Sequence, residues 1–478
     1  MKPATQHLPH PHLKMSVPRT SLGGFLSYAK TALHTAINKH ERVTLVIGNE
    51  SADLDSMSSQ ILYAYVRSMT PSSSTTTTTS TTTTTSSGPT FTRLYIPVTN
   101  MPASGITARP EFLAVFKHVG IEARHLITLD DLPGLEEGVQ ERLRREDTRW
   151  ILVDHNVLQG VLGRVYGERV GGVIDHHEDE GVVPWDTGDE PRIVEKSGSC
   201  TSLVVGYLRP AWDLLAAEAV SSGAAHAQGD SLADDDAGVR RWDASLAQLG
   251  LASILIDTAN LQDESKTTEH DRRAVEYLEA KIMLCPQLAT SFDRTAFYEA
   301  IDAAKKDIGP LKLQAILQKD YKEWDQEDGQ KLGISSVVKD IGFLQKKAGE
   351  EADSQSDKAF LDSLQSFAKE RKLDLYSIMT TSTSSSGDFQ RELLLWAFTD
   401  KAVCWAKAFA DKSREALGLE DWDGSESVGG GEGNGQGNGQ GNGQGNGQGH
   451  GQWRRVWWQR QVQHSRKRVA PLLRQAQD

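Results

Sequence analysis

The sequence has few cysteines and no long apolar segment. Its three cysteines, Cys200, Cys285 and Cys404, lie far apart without a Cys-x-x-Cys pair, which argues against a zinc ribbon or a disulfide framework and indicates a reducing compartment. No run of about 18 apolar residues is present, so we expect no transmembrane helix. The N-terminus also lacks the apolar stretch of a secretory signal. These absences predict a cytoplasmic protein that does not bind membranes.

Two further absences concern nucleotides and nucleic acids. No Gly-x-x-x-x-Gly-Lys-Ser/Thr loop occurs, which argues against a P-loop mechanism. The net charge of the 478-residue chain is −13, which disfavours nucleic acid as a partner. The charge is uneven, however, because residues 453–474 contain seven Arg or Lys and no Asp or Glu. This segment is a candidate site for a different polyanion.

The length of the chain predicts at least two domains, since a domain typically has about 100–200 residues. We predict one domain at 20–285 and a second at 292–478, with a boundary near Pro286. The Ser/Thr insert 71–88 and the insert 424–452, which contains four copies of Gly-Asn-Gly-Gln, are predicted to include disordered surface loops, because their low-complexity tracts cannot bury apolar surface. The polar insert 221–238 has a similar but milder composition.

Short apolar runs alternate with helical patterns over the first 290 residues. The predicted strands are 43–47, 93–97, 150–153, 172–174 and 252–256, and the predicted helices are 57–69, 110–119 and 268–282. This alternation predicts an α/β domain with a parallel sheet covered by helices on both faces. In the rest of the chain, a helical stretch at 297–322 and strands at 334–338 and 392–398 predict a smaller mixed α+β domain.

Four of the predicted strands run into a motif with acidic residues. The motifs are Asn49-Glu50-Ser51-Ala52-Asp53-Leu54-Asp55, Asp154-His155-Asn156, Asp175-His176-His177 and Asp257-Thr258-Ala259-Asn260. Parallel α/β sheets place ligands beyond the carboxyl ends of their strands, so we expect the motifs to converge. Closely packed carboxylates repel one another, and divalent cations remove that cost. Oxygen ligands together with an imidazole suit Mn²⁺ or Mg²⁺.

Each motif also has a structural explanation when taken alone. A single Asp53 or Asp55 is explained as a helix cap, and a single His155 as a partly buried histidine. Capping does not require Asp-His-His or Asp-His-Asn after apolar strands, so the set as a whole favours a metal site. Glu50 and Asp175 fit a structural role most readily, and Asp175 is a candidate for orienting a histidine.

At these motifs the chain resembles the DHH phosphoesterase superfamily, and within it the fungal exopolyphosphatases. The first motif looks like the exopolyphosphatase form of the family's first metal motif, and the other three match the remaining motifs. Ser465-Arg466-Lys467 and Gly333-Ile334-Ser335-Ser336-Val337 resemble the second domain of family II pyrophosphatases. Those pyrophosphatases carry a metal-binding His at the position of Asn49, so this departure favours the exopolyphosphatase branch.

The resemblance implies a site with two metal ions and a basic clamp. It implies that Asp53, Asp154 and Asp257 hold one ion and that Asp55, Asp154 and His176 hold the other. Asp154 would bridge the ions, and His177 would contact the scissile phosphate or assist proton transfer. Arg466 and Lys467 would clamp phosphate oxygens from the second domain. Further candidates for substrate binding are Asn49, His155, Arg109, Lys339 and Arg391.

These expectations predict an exopolyphosphatase that hydrolyses the terminal phosphate of inorganic polyphosphate with water activated by two Mn²⁺ or Mg²⁺ ions. Two alternatives stay open. One is a hydrolase of pyrophosphate or of cyclic or short nucleotides in the same superfamily, and the other is a weakly catalytic scaffold protein. The oligomeric state is not fixed by the sequence, which is compatible with a monomer.

Overall fold

The structure is a computed structural model that describes residues 19–70, 91–133, 142–225, 231–326, 328–384, 386–433 and 452–477. Contacts divide the chain into two compact units. The N-terminal unit comprises Met1–Asn49, Leu54–Asn100 and Val115–Tyr298, and the C-terminal unit comprises Glu50–Asp53, Met101–Ala114 and Glu299–Asp478. The main division thus falls between Tyr298 and Glu299. The domain limits predicted from the sequence, 20–285 and 292–478, stay a prediction.

The regular elements follow one another in a largely alternating order. The first part of the chain forms α1 (Leu22–Lys39), β1 (Val43–Ile47), α2 (Leu54–Met69), β2 (Tyr95–Val98), α3 (Ala103–Ile106), α4 (Pro110–Val119), β3 (Thr148–Val153), α5 (Gly160–Tyr166), β4 (Val170–Asp175), β5 (Arg192–Val194), α6 (Cys200–Ala225), α7 (Ser231–Asp257) and α8 (Glu269–Met283). The second part forms α9 (Arg294–Lys306), α10 (Leu313–Lys319), β6 (Tyr321–Asp325), β7 (Lys331–Val337), α11 (Ile341–Ala352), α12 (Ser356–Arg371), β8 (Leu375–Thr380), β9 (Ser382–Thr383), β10 (Phe389–Gln390), β11 (Glu392–Ala397), α13 (Asp400–Leu417), β12 (Leu419–Asp421), α14 (Glu426–Gly429), β13 (Gly430–Gly433), β14 (Gln452–Gln459) and α15 (Arg466–Gln475).

The N-terminal unit is built on a five-stranded parallel sheet in the order β2-β1-β3-β4-β5. Every residue of β1 and β2 is buried, which is typical of a parallel sheet covered on both faces. The strand order reverses direction between β1 and β3, and such a switch point is where α/β sheets bind ligands. The prediction of an α/β fold is confirmed.

The prediction of a strand at 252–256 is wrong, because these residues lie inside α7. The run is apolar and short, and such a run does not distinguish a buried strand from part of a buried helix. Here it is enclosed by other helices: a Cβ on Gly250 would lie 3.1 Å from Leu62 of α2 and 3.3 Å from Leu278 of α8. Asp257 is therefore the last residue of a helix and does not follow a strand.

Two of the predicted inserts contain regular structure. Residues 221–225 continue α6 and residues 231–238 begin α7, so these parts of the polar insert 221–238 are helical. The alanines in this stretch favour a helix. Residues 424–433 include α14 and β13, and β13 pairs with β14, so this part of the insert 424–452 forms regular structure. The Ser/Thr insert and the repeats from residue 434 onward lie outside the described residues.

The C-terminal unit contains a mixed sheet in the order β12-β14-β11-β8-β7-β6, with β13 also paired to β14. β7 and β8 run parallel, whereas the other neighbours run antiparallel. Side chains of β8 alternate between two apolar cores, with Tyr376 and Ile378 in one and Leu375 and Met379 in the other. Helices α10, α11 and α12 contribute to the first core, and α13 and α15 to the second. The predicted mixed α+β domain is confirmed.

The prediction of a helical stretch at 297–322 is wrong in part. α9 ends at Lys306, α10 is separate, and Tyr321 already begins β6. Gly309 and Pro310 lie between the two helices, and a proline disfavours helical geometry in the residue that precedes it. The edge strand β6 pairs with β7 in register from Tyr321 onward.

Gly48 lets the end of β1 approach the first turn of α2. A Cβ at Gly48 would lie 2.4 Å from Cβ and 3.0 Å from Cα of Ser56. Ser56 in turn accepts a hydrogen bond of 3.1 Å from the backbone N–H of Asn49. The glycine therefore fixes the distance between the first motif and the helix that follows it.

We expect Gly48→Ala to lower the free energy of unfolding by about 1–3 kcal/mol, because the new methyl group would push against backbone and Cβ of Ser56. Gly206→Ala is the matched control, since a Cβ at this position in α6 meets no atom within 4 Å. That control should leave stability unchanged or raise it by up to about 1 kcal/mol. Urea unfolding followed by circular dichroism measures both, and equal stabilities for the two variants would contradict the close approach.

Candidate metal centre

The backbone is left-handed at two of the predicted motifs in the N-terminal unit. Asp154 has a φ of 63°, and Ala259, Asn260 and Leu261 have φ values of 49°, 58° and 65° just after Asp257. Such residues cost roughly 1–3 kcal/mol each when they are not glycine, and they gather at functional sites. Together with Ala52, whose φ is 42°, left-handed residues occur in three of the four predicted motifs.

Asp154 is buried, and its two carboxylate oxygens have different surroundings. Oδ2 accepts hydrogen bonds of 2.7 Å from Nδ2 of Asn49 and from Oγ of Ser56. Oδ1 lies 3.2 Å from Nε2 of His176 and 3.8 Å from Nδ1 of His177. Because β1 and β3 are neighbours in the sheet, Asn49 and Asp154 meet at their carboxyl ends. Oδ2 is held by the protein, and Oδ1 is directed towards the histidines.

Asp55 lies in the first turn of α2 and accepts hydrogen bonds at the N-terminus of α6. The donors are the backbone N–H groups of Cys200 and Thr201, at 2.7 and 2.9 Å, and the hydroxyls of Ser199, Thr201 and Ser253, at 2.7, 2.7 and 3.0 Å. Burial raises the pKa of Asp55, but His176 and the hydrogen bonds from Ser199 and Thr201 outweigh it, so that the pKa lies below its usual value. Asp55 is therefore an anion at neutral pH.

The ring of His176 is oriented by the backbone. Its Nδ1 lies 3.1 Å from the carbonyl oxygen of Ser197, which can only accept, so Nδ1 carries the proton. In the neutral ring, Nε2 then presents a lone pair at 3.2 Å from Asp154 Oδ1 and 3.8 Å from Asp55 Oδ2. A lone pair that faces two carboxylates is repelled unless a cation or a proton lies between them. The donor set therefore fits a divalent metal ion.

His177 is held by Asp175. Its Nδ1 donates to Asp175 Oδ1 at 2.7 Å, and the backbone N–H of His176 donates to the same oxygen at 2.7 Å. Oδ2 of Asp175 accepts from Nδ2 of Asn156 at 2.6 Å. Burial raises the pKa of Asp175, but the hydrogen bond and charge of His177 lower it by more than burial raises it. The pKa of Asp175 therefore lies well below its usual range. Asp175 thus orients His177, and Asn156 links two of the motifs.

His155 is buried and is fixed in the same manner as His176. Its Nδ1 lies 3.0 Å from the carbonyl of Val153, so Nδ1 is the protonated nitrogen. Nε2 is buried and has no hydrogen-bond partner among the residues that the structure describes. Buried polar atoms are normally paired, so this nitrogen is available to a ligand.

Only part of the predicted ligand set is brought together by the geometry. Within the described chain, Asp154, His176 and His177 form a group whose ligand atoms lie within 4.8 Å of one another. Oδ2 of Asp55 lies 3.8 Å from Nε2 of His176. Asp53 is half-buried and precedes α2, and Asp257 is half-buried at the end of α7. Their assignment as metal ligands stays a prediction.

In the C-terminal unit, Arg466 forms an ion pair with Asp320. Nη2 of Arg466 lies 2.7 Å from Oδ1 of Asp320, and Nη1 donates to its carbonyl at 2.9 Å. Burial raises the pKa of Asp320, but Arg466 outweighs it and lowers the pKa to about 2. Arg109, also predicted to bind substrate, is buried, donates to the carbonyl of Ser51 and lies 3.9 Å from Glu111.

The remaining basic candidates of this unit have different surroundings. Lys467 follows Arg466 in the first turn of α15 and is exposed. Lys339 lies 5.9 Å from the ring centre of Phe343. Arg391 donates to the carbonyl of Val462 at 2.6 Å, and burial lowers its pKa. Substrate binding by these three residues stays a prediction.

Comparison with known families gives matches on both units. The model described as DHH family, N-terminal domain, matches residues 43–224, and the model described as DHHA2 domain matches residues 299–476. The chain belongs to the DHH superfamily. No helix in the described part of this DHH protein has the length and apolar character needed to cross a membrane.

Several curated relatives of this DHH protein are named as exopolyphosphatases. It is 28% identical to a Schizosaccharomyces pombe protein named as a candidate exopolyphosphatase, over 84% of this chain and 89% of that protein. It is 27% identical to exopolyphosphatase PRUNE1 of Bos taurus and 25% identical to that of Homo sapiens, over 66% and 76% of this chain. The matches span 57% and 64% of these mammalian proteins, less than two thirds of their length.

Among solved structures, the DHH protein is similar to a candidate family II inorganic pyrophosphatase from Methanococcus jannaschii. The identity is 19% and the TM-score 0.48, with 91% of this chain and 99% of the other chain covered.

Sequence reasoning missed the hydroxyl groups that hold the acidic side chains. Ser56 bonds Asp154, and Ser199, Thr201 and Ser253 bond Asp55. The signal was present in the run Ser197-Gly198-Ser199-Cys200-Thr201-Ser202, whose small polar residues are typical of a helix N-terminus that receives a carboxylate.

We expect the Asp320–Arg466 ion pair to make stability depend on acid pH. Because the pKa of Asp320 is lowered from 3.8 to about 2, its contribution is present above pH 3.8 and is lost as the pH falls through about 2. Asp320→Asn should cost about 0.5–1 kcal/mol at pH 7, since the carboxylate is 39% exposed, and the difference from wild type should shrink between pH 4 and 2. Denaturant unfolding across this range measures it.

Asp362→Asn is the matched control for this measurement, because Asp362 is an exposed carboxylate with no ion pair among the described residues. A constant difference between wild type and Asp320→Asn from pH 7 to 2 would refute the assignment of the pKa shift to Arg466.

Proposed function

We propose that this DHH protein is a metal-dependent exopolyphosphatase, which removes the terminal phosphate from inorganic polyphosphate. The observation that carries the proposal is the position of Nε2 of His176, 3.2 Å from Asp154 Oδ1 and 3.8 Å from Asp55 Oδ2, beyond the carboxyl ends of the parallel strands. Membership of the DHH superfamily supports a phosphoesterase type of hydrolase, and the names of the relatives support polyphosphate as substrate.

The ligand atoms suit Mn²⁺ or Mg²⁺, because carboxylate oxygens dominate and an imidazole is present. We assign Asp55, Asp154 and His176 to one ion, and Asp53, Asp154 and Asp257 to a second. Divalent ions, when bound, lower the pKa of a water molecule towards neutrality and offset the charge of phosphoryl oxygens.

His177 is proposed to move a proton at the scissile phosphate. Asp175 holds Nδ1 at 2.7 Å, so the ring exchanges its mobile proton at Nε2. A carboxylate hydrogen-bonded to Nδ1 places a negative charge beside the ring, which favours the protonated form of His177. His177 therefore suits a general acid that protonates the oxygen of the departing chain as the phosphoanhydride bond breaks.

Binding of a polyanion requires cations that are oriented before the substrate arrives. The ion pair with Asp320 fixes the side chain of Arg466, and a guanidinium has five N–H donors, so donors remain for phosphate. Lys467 adds an exposed charge beside it. We propose that Arg466 and Lys467 bind phosphate groups, with Arg109, Lys339, Arg391 and His155 as further contacts.

Asn49 favours polyphosphate over pyrophosphate as the substrate. Its Nδ2 donates to both the carboxylate and the carbonyl of Asp154, at 2.7 and 3.1 Å. The side chain thus positions Asp154 with its amide nitrogen, whereas an imidazole at this place would offer a nitrogen ligand. The second candidate function is hydrolysis of pyrophosphate or of a cyclic nucleotide. We further propose a cytoplasmic location, in keeping with the three free cysteines.

We expect metal-stripped protein supplied with Mn²⁺ or Mg²⁺ to release phosphate fastest from long polyphosphate. Tripolyphosphate, pyrophosphate and cyclic AMP are the comparison substrates, and phosphate release or loss of cyclic AMP is measured. Pyrophosphate as the best substrate would move the assignment to a pyrophosphatase, and no turnover of any substrate would favour a scaffold protein.

Asp154→Asn should lower kcat by at least about 100-fold while the protein stays folded. Asparagine tolerates the left-handed conformation of residue 154, so the fold should survive the change. Steady-state phosphate release and thermal unfolding are measured together, with the exposed Asp362→Asn as a control that keeps activity. A folded Asp154→Asn variant with wild-type kcat would refute the role of this carboxylate.

Arg466→Ala should raise the KM for long polyphosphate by about tenfold or more, because a charge-assisted contact to phosphate is lost. The control Lys412→Ala removes one positive charge from an exposed position of α13 and should leave KM within about twofold. If both variants keep the wild-type KM, Arg466 does not bind the substrate.

A further inference from the structure

Asp271, in the first turn of α8, is a fully buried carboxylate outside the predicted motifs. Six hydrogen bonds of 2.6–3.2 Å end on its two oxygens. The donors are Oγ of Ser197, N of Ser199 and Oγ of Ser202 on Oδ1, and N of Gly198, N of Thr268 and Oγ1 of Thr268 on Oδ2. No ion pair reaches Asp271 from the described residues. Neutral donors alone stabilise this charge.

Half of these hydrogen bonds come from one short loop between β5 and α6. Ser197, Gly198 and Ser199 each donate once, so the carboxylate fixes three consecutive residues. The loop approaches closely, because a Cβ on Gly198 would lie 2.9 Å from Oδ2 of Asp271 and 2.7 Å from the methyl group of Thr258. Any larger residue at 198 would separate the loop from the carboxylate.

The same loop orients two of the proposed metal ligands. The carbonyl of Ser197 accepts from Nδ1 of His176 and so directs Nε2 towards Asp154. Ser199 Oγ donates to Asp55 at 2.7 Å, and Cys200, the next residue along, donates its N–H to the same carboxylate. Displacing the loop would therefore move an imidazole and a carboxylate at once.

We propose that Asp271 is a positioning residue that sets the metal affinity of the centre, by clamping the loop 197–199 against α8. The proposal rests on the proposed function, because it assumes that His176 and Asp55 hold a divalent ion. Asp271 touches neither metal nor substrate and acts through the carbonyl of Ser197 and the donors of Ser199 and Cys200. Groups that orient metal ligands in this indirect way change affinity by about 10–100-fold.

A carboxylate is required here because both oxygens must accept. An asparagine would replace one of the two oxygens with an N–H₂ group, which cannot accept a hydrogen bond. The three donors that bond this oxygen in the wild type would then face another donor. We therefore expect Asp271→Asn to weaken Mn²⁺ binding by about 10–100-fold, measured by calorimetric titration of the metal-stripped protein. Glu269→Gln removes an exposed carboxylate from the same helix turn and is the control, with a change below about twofold.

The ring of His176 provides a readout that needs no metal and no activity. In ¹⁵N-histidine-labelled, metal-free wild type at a pH high enough for the ring to be neutral, His176 should hold its single ring proton on Nδ1, as the bond to Ser197 requires. In Asp271→Asn this preference should be reduced. A residue that merely stabilised α8 would lower the melting temperature without changing the ring signal.

A matched pair of hydroxyl deletions covers the case in which Asp271→Asn does not fold. Ser197→Ala and Thr268→Ala each remove one hydroxyl donor to Asp271, at 3.1 and 2.8 Å, but only Ser197 lies on the loop. Ser197→Ala should weaken Mn²⁺ binding about threefold or more, and Thr268→Ala should change it by less than about twofold.

The outcomes separate the two proposals. Wild-type protein that binds no Mn²⁺ would overturn the metal centre itself. Wild-type protein that binds Mn²⁺, with Asp271→Asn binding it equally well, would overturn the positioning role and leave the centre in place. Equal effects of Ser197→Ala and Thr268→Ala would also reject the loop as the route of action.

Discussion

The hydrogen bond from Nδ1 of His176 to the carbonyl of Ser197 is the interaction on which the candidate centre depends. It decides which ring nitrogen carries the proton, and hence that a lone pair faces Asp154 and Asp55. With the opposite tautomer the ring would donate to these carboxylates, and they would need no cation. Because the acceptor is a backbone carbonyl, the conformation of the loop 197–199 determines which nitrogen of His176 carries the proton.

The fold brings the other groups to this ring through the order of the strands. β1 and β3 are neighbours, and the turn after β1 and the turn after β3 supply Asn49 and Asp154. β4 lies next to β3 and ends in Asp175, which holds His177. Residues more than 100 positions apart thus meet because the parallel strands all end at one edge of the sheet. Matches to the DHH and DHHA2 models cover both units of the chain.

Much of this arrangement follows from local sequence. The strands at 43–47, 150–153 and 172–174 are short, apolar and bounded by polar motifs, so their type and their acidic ends could be predicted. The segment 252–256 has the same appearance but is helical, since a short apolar run is equally suited to the space between α2 and α8. The partners that Ser56, Ser199 and Asp271 contact could not be predicted, because each contact joins elements that are distant in sequence and is determined by packing.

Two buried carboxylates, Asp55 and Asp271, are stabilised mainly by groups without net charge. Hydroxyls and backbone N–H groups surround Asp271 entirely, and together with His176 they surround Asp55. Such donors keep a carboxylate ionised but leave its field uncancelled, so the electrostatic potential around Asp55 stays negative. A highly charged anion is repelled from a region of that sign. At the proposed metal centre, divalent cations would therefore have to bind before a polyanion, because serine and threonine hold Asp55 where a lysine or arginine would have neutralised it.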